Sequence, residues 1–239
     1  MANPVCQYSV VLHTERPVHG SPLSAEDREK ANMSSSGKKK PAYFPIVCIG
    51  GSAGSLSAYR DILRQMPEHP DIAIVIISHR SRSSDRLVQI LARDTCLTVV
   101  EATDGMSLKP NFVFVAPAHR EITTDGVTLR LAEGLTGFNG WPTVISDFLF
   151  SLASGCTSRA IAIIVSGMGH DGSAGLIAVK RAGGQTFAQS DAFYHNMPEA
   201  AIDTEYVDFI SSASIIGKYL ATLKATRPVD GRTEGRSTP

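Results

Sequence analysis

The chain has 239 residues, 43% of them hydrophobic, and balances 23 basic side chains against 23 acidic ones. That is enough for one sizeable core, and the neutral balance, with no Lys/Arg cluster interleaved with aromatics, gives no electrostatic ground for a nucleic-acid partner. No apolar run approaches the roughly 18–20 residues of a membrane span, and the N-terminus lacks a signal peptide's apolar segment, which argues against membrane insertion and for a cytoplasmic protein.

Residues 1–42 differ in kind from the rest of the chain. They hold Ser, Pro and charge, as in SPLSAEDREKANMSSSGKKKP, with little apolar periodicity, and read as a disordered tail. Residues 224–239, ending RPVDGRTEGRSTP, read the same way, leaving 43–223 as a single domain. The four cysteines (Cys6, Cys48, Cys96, Cys156) lack metal-ligand spacing. Cys48 and Cys96 lie in or beside apolar runs and read as reduced, buried thiols. No metal and no organic cofactor is implied.

Ile46 to Ile49 is a short β-branched run, the pattern of a strand buried on both faces. Gly50 and Gly51 turn the chain. The spacing from Ala53 to Met66 predicts a helix with Leu56, Tyr59, Ile62, Leu63 and Met66 on its inner face. Ile72 to Ser78 is a second buried strand. Ser84 to Arg93 reads as a helix with Leu87, Val88 and Leu91 inward, and Leu97 to Glu101 as a third strand.

Asn111 to Ala116 is the fourth strand. Residues 122–129 then read as a β-hairpin around Asp125-Gly126, a dipeptide suited to a type I′ turn. A Gly-rich loop at 133–142 precedes a helix from Thr143 to about Ala153. Arg159 to Ser166 (RAIAIIVS) is the strongest buried strand, followed by Gly167-Met168-Gly169-His170-Asp171-Gly172 and a helix from Ser173 to Ala182 with Gly183-Gly184 as its C-cap. A strand at 186–188, a loop at 189–198, a helix at 199–202, a strand at 207–210 and a helix at 212–223 complete the domain. Helices alternating with buried strands predict a doubly wound α/β fold, its mostly parallel sheet carrying an antiparallel hairpin accessory.

In such sheets ligands bind beyond the strand C-termini, which makes the polar residues there informative. Ser52 follows the first strand, His79 the second, His119 the fourth, and His170 and Asp171 the 159–166 strand. Ser52 admits three readings: a helix N-cap, part of a nucleotide cradle, or a nucleophile. The cradle lacks a glycine at 49 and an acidic residue at the end of the next strand. Gly50-Gly51-Ser52-Ala53-Gly54 matches G-x-S-x-G, but an α/β-hydrolase would have its elbow on an interior strand and the order Ser, Asp, His. A serine, a histidine and an aspartate at three such strand ends have the makings of a Ser-His-Asp triad, with the imidazole taking the serine proton and the aspartate orienting the ring. These considerations leave open which histidine serves, and Asp171 reads equally well as the N-cap of the helix at 173.

IGGSAGSLSA, IVIISHRSRSSDRLVQIL, VVEATDGMSLKPNFVFVAPAHREIT, PTVISDFLFSLA, IIVSGMGHDGSAGL and MPEAAIDTEYVDFI resemble, in order and spacing, the catalytic domain of the chemotaxis protein-glutamate methylesterases, the CheB type. The resemblance spans residues 44–222. It implies Ser52 as nucleophile, His79 as base and Asp171 as the orienting carboxylate, with oxyanion and substrate support from Ala53, Gly54, Met168 and Gly169. It further implies hydrolysis of glutamyl methyl esters on the cytoplasmic helices of chemoreceptors, with release of methanol and in many members deamidation of glutamines.

Most members carry a receiver domain ahead of this one, and 42 tail-like residues are too few to hold it. Ser55, Arg80 and His170 depart from the residues usual in the family. Two other functions are weighed against the esterase: a non-catalytic protein-binding module on the same fold, and a carboxylesterase of small molecules.

Overall fold

A computed structural model describes residues 43–79, 84–134, 137–138 and 141–223. The two stretches read as tails lie outside the described residues.

Seven strands form one parallel sheet: β1 (Ile46–Gly51), β2 (Ala73–Ser78), β3 (Thr98–Glu101), β4 (Phe112–Val115), β9 (Ala160–Ile164), β10 (Gln185–Gln189) and β11 (Phe209–Ser211). Their order is β11-β10-β9-β1-β2-β4-β3, so the sheet winds outward from β1 in both directions. Alternate residues feed two separate cores, as the two-residue period of a strand requires. Val47, Ile49, Ile74, Ile76, Ile161 and Ile163 face one side, with side chains of α1 (Ser55–Leu63), α2 (Ser84–Leu91) and α6 (Ala213–Leu220). Cys48, Val75, Ala162 and Ile164 face the other, under α3 (Val144–Cys156), α4 (Ser173–Arg181) and α5 (Asn196–Ile202). This is the expected doubly wound α/β domain.

Several local expectations need correction. Helix α1 starts at Ser55, and its buried stripe is Ser55, Ala58, Tyr59, Ile62 and Leu63. Leu56 lies at the edge of that stripe and is 38% exposed, not an inner-face residue. The hairpin forms as β5 (Arg120–Thr124) against β6 (Leu129–Glu133), a separate two-stranded sheet with Thr124 opposite Leu129. Its loop therefore has four residues, not two. Asp125 Oδ1 accepts the N–H groups of Val127 and Thr128, and within the loop only Gly126 takes positive φ, so the side chain closes the turn in place of a type I′ geometry. The Gly-rich loop contains a short antiparallel pair, β7 (Gly137–Phe138) with β8 (Trp141–Pro142), too brief to leave a periodic signal. Helix α5 begins at Asn196 rather than Glu199, taking Pro198 into its first turn, where a missing N–H costs nothing.

The C-cap of α4 agrees with expectation in detail. Gly183, at φ 87°, donates to Lys180 O and Gly184 to Val179 O, the paired bonds of a Schellman motif. Cys48 and Cys156 are free and buried. Burial and the nearby Asp171 carboxylate push the Cys48 thiol far up, and burial brings Cys156 to about 11. Cys96 differs from its reading. It sits exposed on the loop ahead of β3 and is disulfide-bonded. Among the described residues no helix is long and apolar enough to cross a membrane.

Candidate active site

The winding reverses between β1 and β9, and the loops leaving those strands diverge there to open a crevice at the C-terminal edge of the sheet. Ser52, His79 and Asp171 all border one cleft of about 580 Å³ in this crevice, together with Ala53, Met168, Gly169 and His170. Parallel pairing places Gly51 opposite Ser78, so Ser52 and His79 are the next neighbours across the ladder, with strands about 4.8 Å apart.

The turn at Ser52 is held by its backbone. Ser52 N–H donates to Ser166 O at 3.0 Å, and Ser52 O accepts both the N–H and the hydroxyl of Ser55, at 3.2 and 2.6 Å. Gly54, with φ 73°, occupies the N-cap of α1, and no side chain caps the helix there. The N-cap reading of Ser52 therefore fails, because the chain turns two residues later. Gly51 is required for space: a Cβ on it would lie 2.7 Å from Ser55 Cβ and from Val165 Cγ2. Among the described residues the N–H groups of Ala53 and Gly54 have no protein acceptor, and they stand at a helix N-terminus.

His79 Nε2 and Asp171 Oδ2 are 2.6 Å apart, with side-chain exposures of 11% and 4%. Asp171 accepts three backbone N–H groups as well: Ile145 at 2.9 Å, Ser146 at 3.0 Å and Gly172 at 2.7 Å. The first two belong to the opening turn of α3. The carboxylate thus caps a neighbouring helix and not its own, whose N-cap is Gly172 at φ 93°. Burial would raise this carboxyl, but the bonds from His79, Ile145 and Ser146 outweigh it and hold the group below the usual carboxylate value.

With Nε2 donating to Asp171, the ring's Nδ1 is the free acceptor. Among the described residues Ser52 Oγ makes no hydrogen bond to the ring. Such contacts commonly close only when substrate is bound.

The remaining predicted residues divide. Met168 and Gly169 border the cleft, Met168 with 55% of its surface exposed and Gly169 at φ 86° with open space beside it. Among the described residues their N–H groups also lack protein acceptors. His170 borders the cleft but is exposed, and it is His79 that meets Asp171. His119 is exposed and borders a smaller pocket with His79 and Arg120.

Sequence reading missed Ser166, Gln189 and Ser146. Ser166 is buried just past β9; its hydroxyl donates to Ala53 O at 2.8 Å and accepts Tyr194 N–H at 3.0 Å. Gln189 Oε1 accepts Ser166 N–H at 2.9 Å, and Ser146 Oγ accepts Gly172 N–H at 2.8 Å. The signal available for Ser166 was its place at the C-terminal end of the strand flanking the reversal; for the other two there was none. Among the described residues no group of three or more His, Cys, Asp or Glu side chains is placed to hold a metal ion.

Residues 47–220 match the family model described as CheB methylesterase. The protein-glutamate methylesterase/protein-glutamine glutaminase 1 of Carboxydothermus hydrogenoformans is 31% identical over 223 residues, covering 82% of this chain and 65% of that protein. The Caulobacter vibrioides protein of the same name is 31% identical over 214 residues, covering 87% of this chain and 59% of that one. The chain thus spans roughly three fifths of the length of these relatives. Among solved structures, the catalytic domain of Thermotoga maritima CheB methylesterase superposes with a TM-score of 0.69 at 31% identity, covering 74% of this chain and 97% of that domain.

Proposed function

The chain belongs to the CheB methylesterase family, and from that premise we propose that it is a serine esterase acting on glutamyl methyl esters of chemoreceptor-like helices. Ser52 Oγ attacks the ester carbonyl as His79 Nδ1 takes its proton, and Asp171 stabilises the imidazolium through Nε2. The oxyanion of the tetrahedral intermediate is received by the unpaired N–H groups at Ala53 and Gly54 and on the Met168–Gly169 loop. Collapse expels methanol, protonated by His79, and leaves Ser52 acylated by the glutamyl side chain. Water activated by the same imidazole then releases the glutamate carboxylate. An amide at the same carbonyl would lose ammonia by the same steps, which is deamidation of glutamine.

The observation that carries this reading is the buried His79–Asp171 bond at 2.6 Å, formed at the edge of the cleft that Ser52 also borders. It supports an esterase over a non-catalytic module, because the bonds by which Asp171 caps α3 need no imidazole, yet the carboxylate also holds His79 at the edge of the cleft that Ser52 borders.

The test is methanol release from a methylated chemoreceptor cytoplasmic fragment. Ser52→Ala should lower turnover by about 10⁴-fold or more, since nucleophile and base act as a unit. Its melting temperature should barely change, because the Ser52 side chain does not cap α1. Retention of most of the activity in Ser52→Ala would show that another nucleophile is at work.

A further inference from the structure

The loop between β10 and α5 carries Phe193, with 75% of its surface exposed, and Tyr194 at 37%. The two rings pack edge to face, centroids 4.9 Å apart at 75°. Although the rings are exposed, the backbone beneath them is pinned. Tyr194 N–H donates to Ser166 Oγ at 3.0 Å, Gly167 N–H to Tyr194 O at 3.1 Å, and Met197 N–H to Gly167 O at 3.0 Å. Ser166 is the residue that also holds Ser52 and Ala53.

The rings are therefore fixed relative to the nucleophile turn. A Cβ on Gly54 would come within 3.1 Å of Tyr194 Cδ2 and 3.3 Å of Phe193 Cβ. The carboxylate of the same loop, Asp191, is turned away, accepting Gln189 Nε2 at 3.0 Å and Ala213 N–H at 3.1 Å. The exposed side chains of this loop that come up against Gly54, beside the Ser52 turn, are the two aromatic ones. Met168 and Phe150, also exposed, are apolar side chains of the cleft itself.

We propose that Phe193 and Tyr194 form the rim contact that seats the polypeptide carrying the ester, taking apolar side chains of its helix so that the modified glutamate enters the cleft at Ser52. The inference rests on the esterase reading and names how its substrate is recognised. A helix presents residues three and four positions apart on one face. A glutamyl ester directed at Ser52 therefore brings a neighbouring apolar side chain of the same helix against a ring beside the turn. An aromatic side chain whose backbone is already fixed loses little freedom when it is covered, which suits it to anchor a contact.

The experiment compares kcat/KM for a methylated chemoreceptor cytoplasmic fragment with kcat/KM for N-acetylglutamate γ-methyl ester. It uses the unsubstituted chain, Phe193→Ala and Phe193→Leu. The ratio of fragment to small ester should fall about tenfold in Phe193→Ala, mainly through KM, and recover largely in Phe193→Leu. A change in overall folding would alter both substrates together and leave the ratio where it was. If the unsubstituted chain hydrolyses the fragment and the ratio in Phe193→Ala stays within about twofold, the rim contact is overturned and the esterase reading stands. If the unsubstituted chain hydrolyses the small ester but not the fragment, the rim contact falls together with the receptor substrate.

Discussion

Asp171→Asn tests the site most sharply, because it keeps the side chain's size and removes one acceptor and the charge. Oδ1 receives Ser146 and Gly172 N–H at 3.0 and 2.7 Å; Oδ2 receives His79 Nε2 and Ile145 N–H at 2.6 and 2.9 Å. An amide has one oxygen, so its NH₂ must face two donors in either orientation. Turned toward Ser146 and Gly172, it leaves both backbone N–H groups without an acceptor. Turned toward His79, it requires a bare Nε2 and moves the ring proton to Nδ1, the nitrogen that accepts from Ser52 in the proposed mechanism. An aspartate-to-asparagine change in a comparable triad lowers kcat about 10⁴-fold through the wrong tautomer, and a loss of that order is expected here.

The same change should cost about 2–4 kcal/mol of stability, from buried donors left unpaired and a charge removed from a helix N-terminus. For a domain of this size that corresponds to a fall of about 10 °C in Tm. The sign with pH comes from the depressed carboxyl of Asp171. Its contribution is fully present above the unfolded carboxyl value of about 3.9 and is lost as pH falls through the lower folded value. The Tm gap between the unsubstituted chain and the variant should therefore be widest near neutrality and close on strong acidification. Ester hydrolysis and thermal melting of the two proteins measure both quantities. A variant with kcat within about tenfold and an unchanged Tm would refute the tautomer argument and the capping argument together.

His79→Ala should leave only the residual rate supplied by the oxyanion donors, whereas His170→Asn should change kcat/KM by no more than about threefold. The opposite ranking in ester hydrolysis would move the base to His170. Asp171 should add no step to log(kcat/KM) against pH above the usual carboxylate range, since its charge persists to values below that range. An acid limb steeper than unit slope above about pH 5 would mean that the carboxylate loses its charge within the active range.

What the sequence made legible was whatever local pattern dictates. The runs IAIVIIS and RAIAIIVS read as strands buried on both faces, and β2 and β9 lie within them. Polar residues just beyond such runs had to stand at the C-terminal edge of the sheet, which made Ser52, Asp171 and the histidines at 79, 119 and 170 candidates on pattern alone, with His79 singled out by the family resemblance. The partners of those residues were not legible. Asp171 accepts from Ile145 and Ser146, 26 and 25 positions away, and from His79, 92 positions away. Bonds of that span are created by the docking of α3 over β1 and β9, and no periodicity encodes them. The error on Leu56 has a related cause: the helix phase depends on where the turn at Gly54 releases the chain, and a hydrophobic count does not resolve one residue. The hairpin loop departs from expectation because Asp125 acts through its side chain, which closes the turn, and not through its φ.

Two buried polar side chains outside the helices and strands link the elements of this site, and the division of work between them explains its geometry. Asp171 joins the loop after β9 to the end of β2 and the start of α3. Ser166 joins the same loop to the nucleophile turn and to the loop bearing Phe193 and Tyr194, across 113 and 28 positions of sequence. The proposed base and nucleophile are thus held by different supports. What sets their approach to each other is the parallel register of β1 with β2, which puts Gly51 opposite Ser78 and brings His79 N–H to 3.4 Å from Gly51 O. A ladder in the middle of a seven-stranded sheet is among the stiffest elements a protein has, so the separation of Ser52 from the ring changes little as substrate arrives. Under the proposed mechanism the one adjustment left is a rotation of the Ser52 side chain. That is why the acceptor nitrogen can stand ready without a preformed bond, and why perturbing either support should cost catalytic rate before it costs the fold.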